Sequence, residues 1–311
     1  MLNEARFGFY NYHSLQTQFT LRPTQGTSLQ STFTWQKNLR DGWTTYNDPS
    51  NRSADYMLDY TSISHDFRTN GTFELPIGPN RLFFPNSSGW VARAIERWQV
   101  SIIYNWSAGT PRDAFANQFQ YAATGSSPQP RPLPNIVGPW ENPKTDFQWN
   151  GPNNNSGTIY GAPNPYIAYR DPQCFNMVGA VDSMGLNLQS SCTLNGLAAV
   201  ATPDTPGAVL QADGDTWAVP LLENPLPGHR GNFMPRALRA PGRWTLDGNI
   251  GKTFRLTENK TLQIRFDPTN ILNHPNPGEP TFNMQSNNFG TVTADKSANA
   301  RQFQGQLRLA F

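Results

Sequence analysis

Apolar and polar side chains alternate along several segments of this chain. The clearest segment, RWQVSIIYNWSAG, places Trp98, Val100, Ile102, Tyr104 and Trp106 on one face and polar residues on most of the other. A period of two residues predicts β-strands with one apolar face and one polar face. The same pattern recurs in LQTQFTLR, SLQSTFTWQ, RWTLDGNIGKTFRL, TLQIRFDP and the final ARQFQGQLRLAF. We therefore predict an all-β fold of about seven or eight strands.

The connections between these segments differ greatly in length. Thr257 to Asn259 joins two strands closely, whereas the stretch between Trp106 and Trp244 contains no clear strand. The chain has 27 prolines and 25 glycines, which suit turns and loops better than helices. Within TLQIRFDP, Pro268 cannot donate to a ladder, so we expect that strand to end or bulge near Asp267.

Two architectures produce this alternation. In a soluble sandwich the apolar faces point into a core, whereas in a membrane barrel they point outward to lipid. Alternation alone leaves both open. The polar faces are rich in Gln, Asn, Thr and Arg, and the connections are unequal, which favours the barrel. Aromatic residues of the apolar faces suit a girdle at the lipid interface, namely Trp98, Tyr104, Trp106 and Trp244.

Composition narrows the classes of function. Aromatic residues make up 12% and charged residues 15% of the chain, and the net charge is only +2. The aromatic content argues against disorder of the whole chain, and the small net charge argues against a nucleic-acid partner. No segment approaches the roughly 20 apolar residues of a membrane-spanning helix. The first residues do not resemble a signal peptide, so either the chain is cytoplasmic or its native start lies elsewhere.

Nine short motifs occur in a fixed order along the chain. They are Tyr12 to Gln16, Thr34 to Lys37, Asp48 to Pro49, His65 to Phe67, Glu74 to Pro76, Trp98 to Ser101, Asn273 to Asn276, Asn288 to Gly290 and the terminal Phe311. In this order they resemble the carboxyl-terminal barrel of TonB-dependent outer-membrane receptors, and in particular the Oar-like branch. The resemblance extends over nearly the whole chain apart from the middle.

The resemblance implies an antiparallel transmembrane β-barrel with one very long extracellular loop. Residues 1–109 and 237–311 would supply barrel strands, and residues 110–236 the Pro/Asn/Gly-rich loop. The implied place is the bacterial outer membrane, with the lipid bilayer as a partner. The implied function is binding of a ligand outside the cell and its uptake; siderophores, glycans and peptides are all compatible, and the ligand-binding residues remain open.

The last strand resembles the sorting signal that the barrel-assembly machinery reads in such proteins. Its residues are Phe303, Leu307, Leu309 and Phe311. The alternative is a carboxyl-terminal edge strand of a soluble sheet.

The sequence also differs from that of the complete receptors it resembles. In those proteins a barrel of about 22 strands is filled by an amino-terminal plug domain. A plug, a signal peptide and a TonB-contacting segment are not recognisable here, so contact with the TonB complex would require a further amino-terminal part. A second hypothesis is therefore a structural or adhesive surface protein, whose open strand edges pair with further copies into oligomers or fibres.

The remaining candidate chemistry is sparse. Cys174 and Cys192, with 17 residues between them, could form a disulfide worth about 3 kcal/mol. Two buried free thiols are the alternative. Asp213 and Asp215 could form one side of a calcium site, or simply a solvated turn. Arg68, Arg255, Arg265 and Arg308 could line a lumen or pair with acidic neighbours on adjacent strands. His65 and His274 fall in the motifs and are expected to be structural. We find no catalytic motif and predict neither an enzyme nor a cofactor.

Overall fold

The computed structural model describes residues 10–23, 26–41, 53, 56–115, 133–141, 148–149, 157–158, 165–170, 195–211, 213–224, 231–257, 260–284, 286–292 and 300–311. In chain order its elements are β1 (Tyr10–Leu21), β2 (Ser28–Arg40), β3 (Met57–Leu58), β4 (His65–Glu74), α1 (Gly89–Ile95), β5 (Trp98–Ser107), β6 (Pro111–Arg112), β7 (Asn135–Ile136), β8 (Gln148–Trp149), β9 (Gly157–Thr158), β10 (Tyr166–Arg170), β11 (Asn195–Ala201), β12 (Val209–Leu210), β13 (Trp217–Glu223), β14 (Leu238–Arg239), β15 (Arg243–Arg255), β16 (Thr261–Thr269), β17 (Thr291–Val292) and β18 (Gln302–Ala310).

The long strands form one antiparallel sheet in the order β1-β2-β4-β5-β15-β16-β18, with β3 paired to the end of β2. Every alternating segment of the sequence is a strand of this sheet, and the prediction of an all-β antiparallel fold is confirmed. β1 and β18 form its two edges, and all their residues are exposed. Among the described residues, β1 pairs only with β2 and β18 only with β16.

The connections divide the sheet into two unequal rims. At one rim, the connections 22–27 and 256–260 are only a few residues long, and residues 75–97 contain α1. At the other rim, residues 41–64, 108–242 and 270–301 connect the strands. We call these the short-connection rim and the long-connection rim.

The long connections carry short strands of their own. β7, β10, β11, β12 and β13 form one small sheet, β8, β9 and β17 a second, and β6 with β14 a two-stranded stem that follows β5 and precedes β15. We call the described parts of 108–242 and 270–292 the cap.

The cap has a hydrophobic core. Buried side chains from 108–242, among them Leu197 and Leu222, pack with Phe282, Met284 and Phe289 from the connection between β16 and β18. Two connections that are distant in sequence are therefore held together over one rim of the sheet.

In the described part of the chain, α1 is the only α-helix. It is seven residues long, with Ser88 at its N-cap position and Arg93 in its last turn. None of the described helical segments reaches the length and apolar content that crossing a bilayer as a helix requires.

Candidate functional site: the two faces of the sheet and the cap

Strand register collects the apolar side chains of all seven long strands on one face. Phe33 lies opposite Phe67, Phe67 opposite Trp106, and Trp106 opposite Trp244, which makes an aromatic row across four strands. Leu262 and Ile264 face Leu309 and Leu307 in the same way on the last two strands. We call this side the apolar face.

Most of the apolar face is not covered by another layer of the described structure; the exceptions lie at its ends, where the end of α1 covers Lys252 and His274 stacks on Trp244. Leu15, Trp35, Phe303 and Leu307 are 57%, 55%, 59% and 70% exposed. The buried hydrophobic clusters contain cap residues and none from the seven long strands. A soluble sandwich would bury the residues Trp98, Leu246 and Leu309 in such a cluster. A broad exposed apolar surface is instead typical of a contact with membrane or protein.

The predicted interface aromatics lie near both ends of this face. Trp106 and Trp244 lie next to the long-connection rim, and the ring of Tyr104 is 6.1 Å from that of Trp244. Trp98 begins β5 at the opposite rim. Aromatic rings at both ends of an apolar band are the arrangement of interfacial girdles. The structure adds Phe266 and Phe303, whose rings stack at 5.5 Å.

The opposite side of the sheet, the polar face, carries Gln, Thr, Ser and Asn from every long strand. Two of its arginines pair along their own strands: Arg68 with Asp66 at 2.7 Å, and Arg265 with Asp267 at 2.6 Å. These partners are two residues away on the same face and not on adjacent strands as expected. Next to the short-connection rim, a hollow of about 230 Å³ is lined by residues of β1, β2, β4 and β5, polar ones such as Gln30, Asn70 and Thr72 together with apolar ones such as Ile103.

The motif Asn273 to Asn276 attaches the connection between β16 and β18 to β15 at the long-connection rim. Asn276 accepts a hydrogen bond from the backbone N–H of Trp244 at 2.8 Å and donates one to its carbonyl at 3.0 Å. The His274 ring stacks on Trp244 with centroids 3.9 Å apart. Desolvation by burial lowers the pKa of His274 below its ordinary value of 6.5, which favours the neutral ring. The role of this histidine is thus packing in the described structure.

Asp213 is engaged in a tight turn between β12 and β13. Its carboxylate accepts hydrogen bonds from the N–H groups of Asp215 and Thr216 and from the Thr216 hydroxyl. These hydrogen bonds lower the pKa of the exposed Asp213 carboxyl, with that of the Thr216 side chain contributing most. Over the described residues, no three His, Cys, Asp or Glu side chains are grouped as metal ligands.

The proposed sorting residues lie on β18 and just after it. Phe303, Leu307 and Leu309 belong to the apolar face through their pairing with Pro268, Ile264 and Leu262. Phe311 is 86% exposed. Cys174 and Cys192 lie outside the described residues.

Sequence reasoning missed one feature of the short-connection rim. Lys252 occupies an apolar-face position opposite Trp98, yet it is only 2% exposed. Its Nζ donates to the carbonyls of Ala94 and Glu96, at 2.6 and 2.7 Å. Two features of the sequence could have indicated this contact. Lys252 is a lysine among the apolar positions of β15, and Ser88 is a typical N-cap residue before a short run of helix-forming residues.

The comparisons with known proteins agree with this geometry. A family model described as "Outer membrane beta barrel domain" matches residues 3–304. The chain has no significant match among curated proteins or among solved structures.

Proposed function

The chain belongs to the outer membrane beta barrel domain family, and on this premise we propose that it is the carboxyl-terminal part of a TonB-dependent uptake receptor. The family places the protein in the bacterial outer membrane. The receptor role is supported by the nine ordered motifs. The observation that carries the proposal is the division of the whole sheet into one apolar and one polar face.

The lengths of the connections give the proposed orientation. Outer-membrane barrels have short turns on the periplasmic side and longer loops outside the cell. The short-connection rim, where β18 also ends, would then face the periplasm. The cap would lie outside the cell, over the opening through which a ligand enters.

In this orientation the apolar face contacts lipid and the polar face lines the lumen. Apolar side chains lose unfavourable contact with water when they meet hydrocarbon, at about 25 cal/mol per Å². The Gln and Thr rows keep hydrogen-bonding groups along the path of a polar ligand. Pairing of Arg68 and Arg265 with aspartates moderates the positive charge of that path.

The two strand edges indicate that further strands complete the barrel. An unpaired backbone group in hydrocarbon costs several kcal/mol, so membrane sheets close on themselves. β1 and β18 are paired on one side only among the described residues. We propose that strands outside this sheet pair with both edges, and that a plug and a TonB-contacting segment belong to the same receptor.

The second candidate function rests on the same two edges. If they pair with other copies of this chain, the product is an oligomer or fibre at the cell surface. Negative-stain images of the purified chain distinguish the two candidates. Filaments support self-assembly, whereas separate detergent-bound particles support the receptor.

Uptake by the host bacterium tests the receptor proposal directly. We expect deletion of the gene to abolish energy-dependent uptake of one ligand class among labelled siderophores, oligosaccharides and peptides, and the intact gene to restore it. Dissipation of the proton gradient should abolish the restored uptake. Unchanged uptake of all three classes would contradict the proposal.

Three finer parts of the proposal have their own tests. We propose that the barrel-assembly machinery binds β18, so Phe311→Ser should reduce the amount of folded protein in the outer membrane. Chemical crosslinking in cells would report a contact with TonB. We also propose a disulfide between Cys174 and Cys192, so thiol reagents should label the cell-surface protein only after reduction.

A further inference from the structure

Residues 76–97, here called the rim segment, expose an unusual set of apolar side chains. Leu82, Phe84 and Trp90 are 76%, 68% and 81% exposed, and Phe83 and Val91 are 53% and 40% exposed. Large apolar side chains grouped on a surface mark an interaction site. The rim segment connects β4 to β5 at the short-connection rim.

The exposed side chains are held by an ordered backbone. The N–H of Gly78 donates to the carbonyl of Phe83, and the N–H of Phe83 donates to that of Pro76, both at 2.9 Å. Gly78 packs against the backbone of Glu96, and a Cβ at this position would lie 3.2 Å from the Glu96 Cα. Phe84 has a φ of 57°, a left-handed conformation that is costly for a phenylalanine. The backbone thus presents the aromatic groups outward in a defined shape.

Lys252 fixes the rim segment on the lipid side of the sheet. The residue belongs to the apolar face, and its Nζ lies 5.4 Å from the Trp98 ring and 4.8 Å from the Phe254 ring. The Lys252 ammonium group donates hydrogen bonds to the backbone carbonyls of Ala94 and Glu96, at the end of α1. Trp98 Nε1 also donates to the Ala94 carbonyl, at 3.2 Å. The end of α1 therefore lies over the apolar face and not over the polar face.

The charge of the rim segment complements an anionic surface. Its arginines, Arg81, Arg93 and Arg97, are all exposed, and Glu96 is its only acidic residue. Arg81 is paired with Glu74 at 2.7 Å. Arginines beside exposed Trp and Phe are the composition of a segment that lies in a membrane interface. Basic residues near an anionic leaflet each strengthen binding, by roughly fivefold.

We propose that the rim segment inserts Leu82, Phe83, Phe84, Trp90 and Val91 into the periplasmic leaflet of the outer membrane, where Arg93 and Arg97 bind anionic phospholipid headgroups. The occupant is phospholipid because the segment is continuous with the lipid-facing side of β15 through Lys252. This inference rests on the proposed orientation, in which the short-connection rim faces the periplasm. The interfacial segment would fix the depth of the barrel in the membrane.

Depth-dependent quenching tests the inference on the full chain, with Cys174 and Cys192 replaced by Ser. A fluorophore is attached at Val91→Cys or, as a second site, at Leu82→Cys. The chain, together with the strands that are proposed to pair with β1 and β18, is refolded into phosphatidylethanolamine vesicles with or without phosphatidylglycerol. Leu307→Cys on the apolar face and Gln306→Cys on the polar face serve as lipid and water controls. We expect shallow nitroxide lipids to quench the probes at 91 and 82 more than deep ones, and phosphatidylglycerol to increase this quenching.

The controls separate the possible failures. If aqueous iodide quenches positions 91 and 82 as strongly as position 306 while position 307 is quenched by lipid, the inference is overturned and the membrane assignment stands. If position 307 is also quenched as in water, the membrane-facing role of the apolar face fails, and the inference fails with it. Arg93→Gln should reduce the phosphatidylglycerol dependence, whereas Arg255→Gln, an exposed arginine on the polar face of the same rim, should not. Equal effects of the two substitutions would overturn the headgroup contact.

The orientation of the barrel, that is, which rim faces the outside of the cell, is measured in a separate experiment. Met234, in the cap, is 66% exposed. A cysteine at this position should react with a membrane-impermeant reagent in intact cells, whereas one at Val91 should not. Reaction at position 91 and not at 234 would reverse the orientation and overturn the periplasmic part of the inference.

Discussion

Asn276 pairs with Trp244 as a neighbouring strand would: its side-chain amide accepts from the backbone N–H and donates to the backbone carbonyl of the tryptophan. The asparagine side chain thereby continues the hydrogen-bonding pattern of β15 where a connection, and not a strand, lies alongside it. Asn276 is only 3% exposed, so water does not replace these bonds.

Asn276→Ala should lower the free energy of unfolding by about 1–3 kcal/mol, because it leaves two backbone groups of Trp244 without partners. Asn276→Asp, which retains an acceptor but sets a buried carboxylate oxygen against the Trp244 carbonyl, should destabilise the protein at least as much. Urea unfolding of the refolded chain in detergent measures both. The matched control is Asn249→Ala, on the polar face of the same strand, and equal losses for positions 276 and 249 would contradict the role of the pairing.

Arginine substitutions on adjacent residues of β2 test which face meets lipid. Phe33 lies on the apolar face, whereas Thr34 lies on the polar face opposite Asp66. Phe33→Arg should destabilise the protein in vesicles, because it places an arginine against lipid; the cost is about 2–4 kcal/mol at the bilayer midplane and falls towards the interface, where the aromatic row lies. Thr34→Arg should cost little because an aspartate and water are available to it. A larger loss for Thr34→Arg, measured by urea unfolding in vesicles, would mean that the faces are assigned in reverse.

A substitution of Gly196 tests the packing of the cap independently of the packing of the barrel strands. A Cβ at this position of β11 would lie 1.8 Å from the Leu222 carbonyl oxygen, so Gly196→Ala must separate β11 from β13. We expect trypsin to cleave the cap of this variant faster, with the membrane-embedded strands still protected. Gly305→Ala in β18 is the control, since nothing lies within 4 Å of its Cβ. Unchanged cleavage of Gly196→Ala would show that the cap does not require this close approach.

Acidification should lower the stability of the folded protein through protonation of His274. Burial lowers the pKa of this imidazole from 6.5, so the unfolded chain binds a proton more readily than the folded chain in the window between the two pKa values. Stability should fall as the pH drops through 6.5 and level off below the folded pKa. The measurement is the thermal unfolding midpoint against pH for the native chain and for His274→Gln. Identical slopes for the two proteins would rule out a contribution from this histidine.

The faces of the long strands could be predicted from sequence because side chains alternate with a fixed period of two, whatever the partner strand. Trp98, Trp106 and Leu307 were therefore assigned to the apolar face without knowledge of the pairing. Pro268 shows the limit of the method. The ladder with β15 ends at Phe266, near the expected break, but pairing with β18 continues through Pro268 to Thr269 without a shift. A proline is tolerated where one side of its strand is free.

The cap could not be predicted in the same way. Its buried side chains, such as Leu222 and Phe289, occur singly or in pairs between prolines, glycines and asparagines, so they show no period. The core forms only when residues near position 200 meet residues near position 285, and a local pattern contains no information on that contact. Likewise α1 has seven residues, too few to establish a helical period.

The attachment of the cap to adjacent strands has an evolutionary consequence. The chain leaves β5 through β6, returns through β14 to β15, and the ladder between β5 and β15 continues undisturbed from Ser107 and Arg243 to Trp98 and Lys252. The entropy of closing an insertion grows only with the logarithm of its length, by about 0.6 kcal/mol for each doubling. Caps of different size can therefore replace one another at this hairpin, together with residues 270–292 that share their core, while the long strands remain the same. In the proposed orientation, where the cap lies outside the cell, the outer surface can vary at this position without any change to the sheet below it.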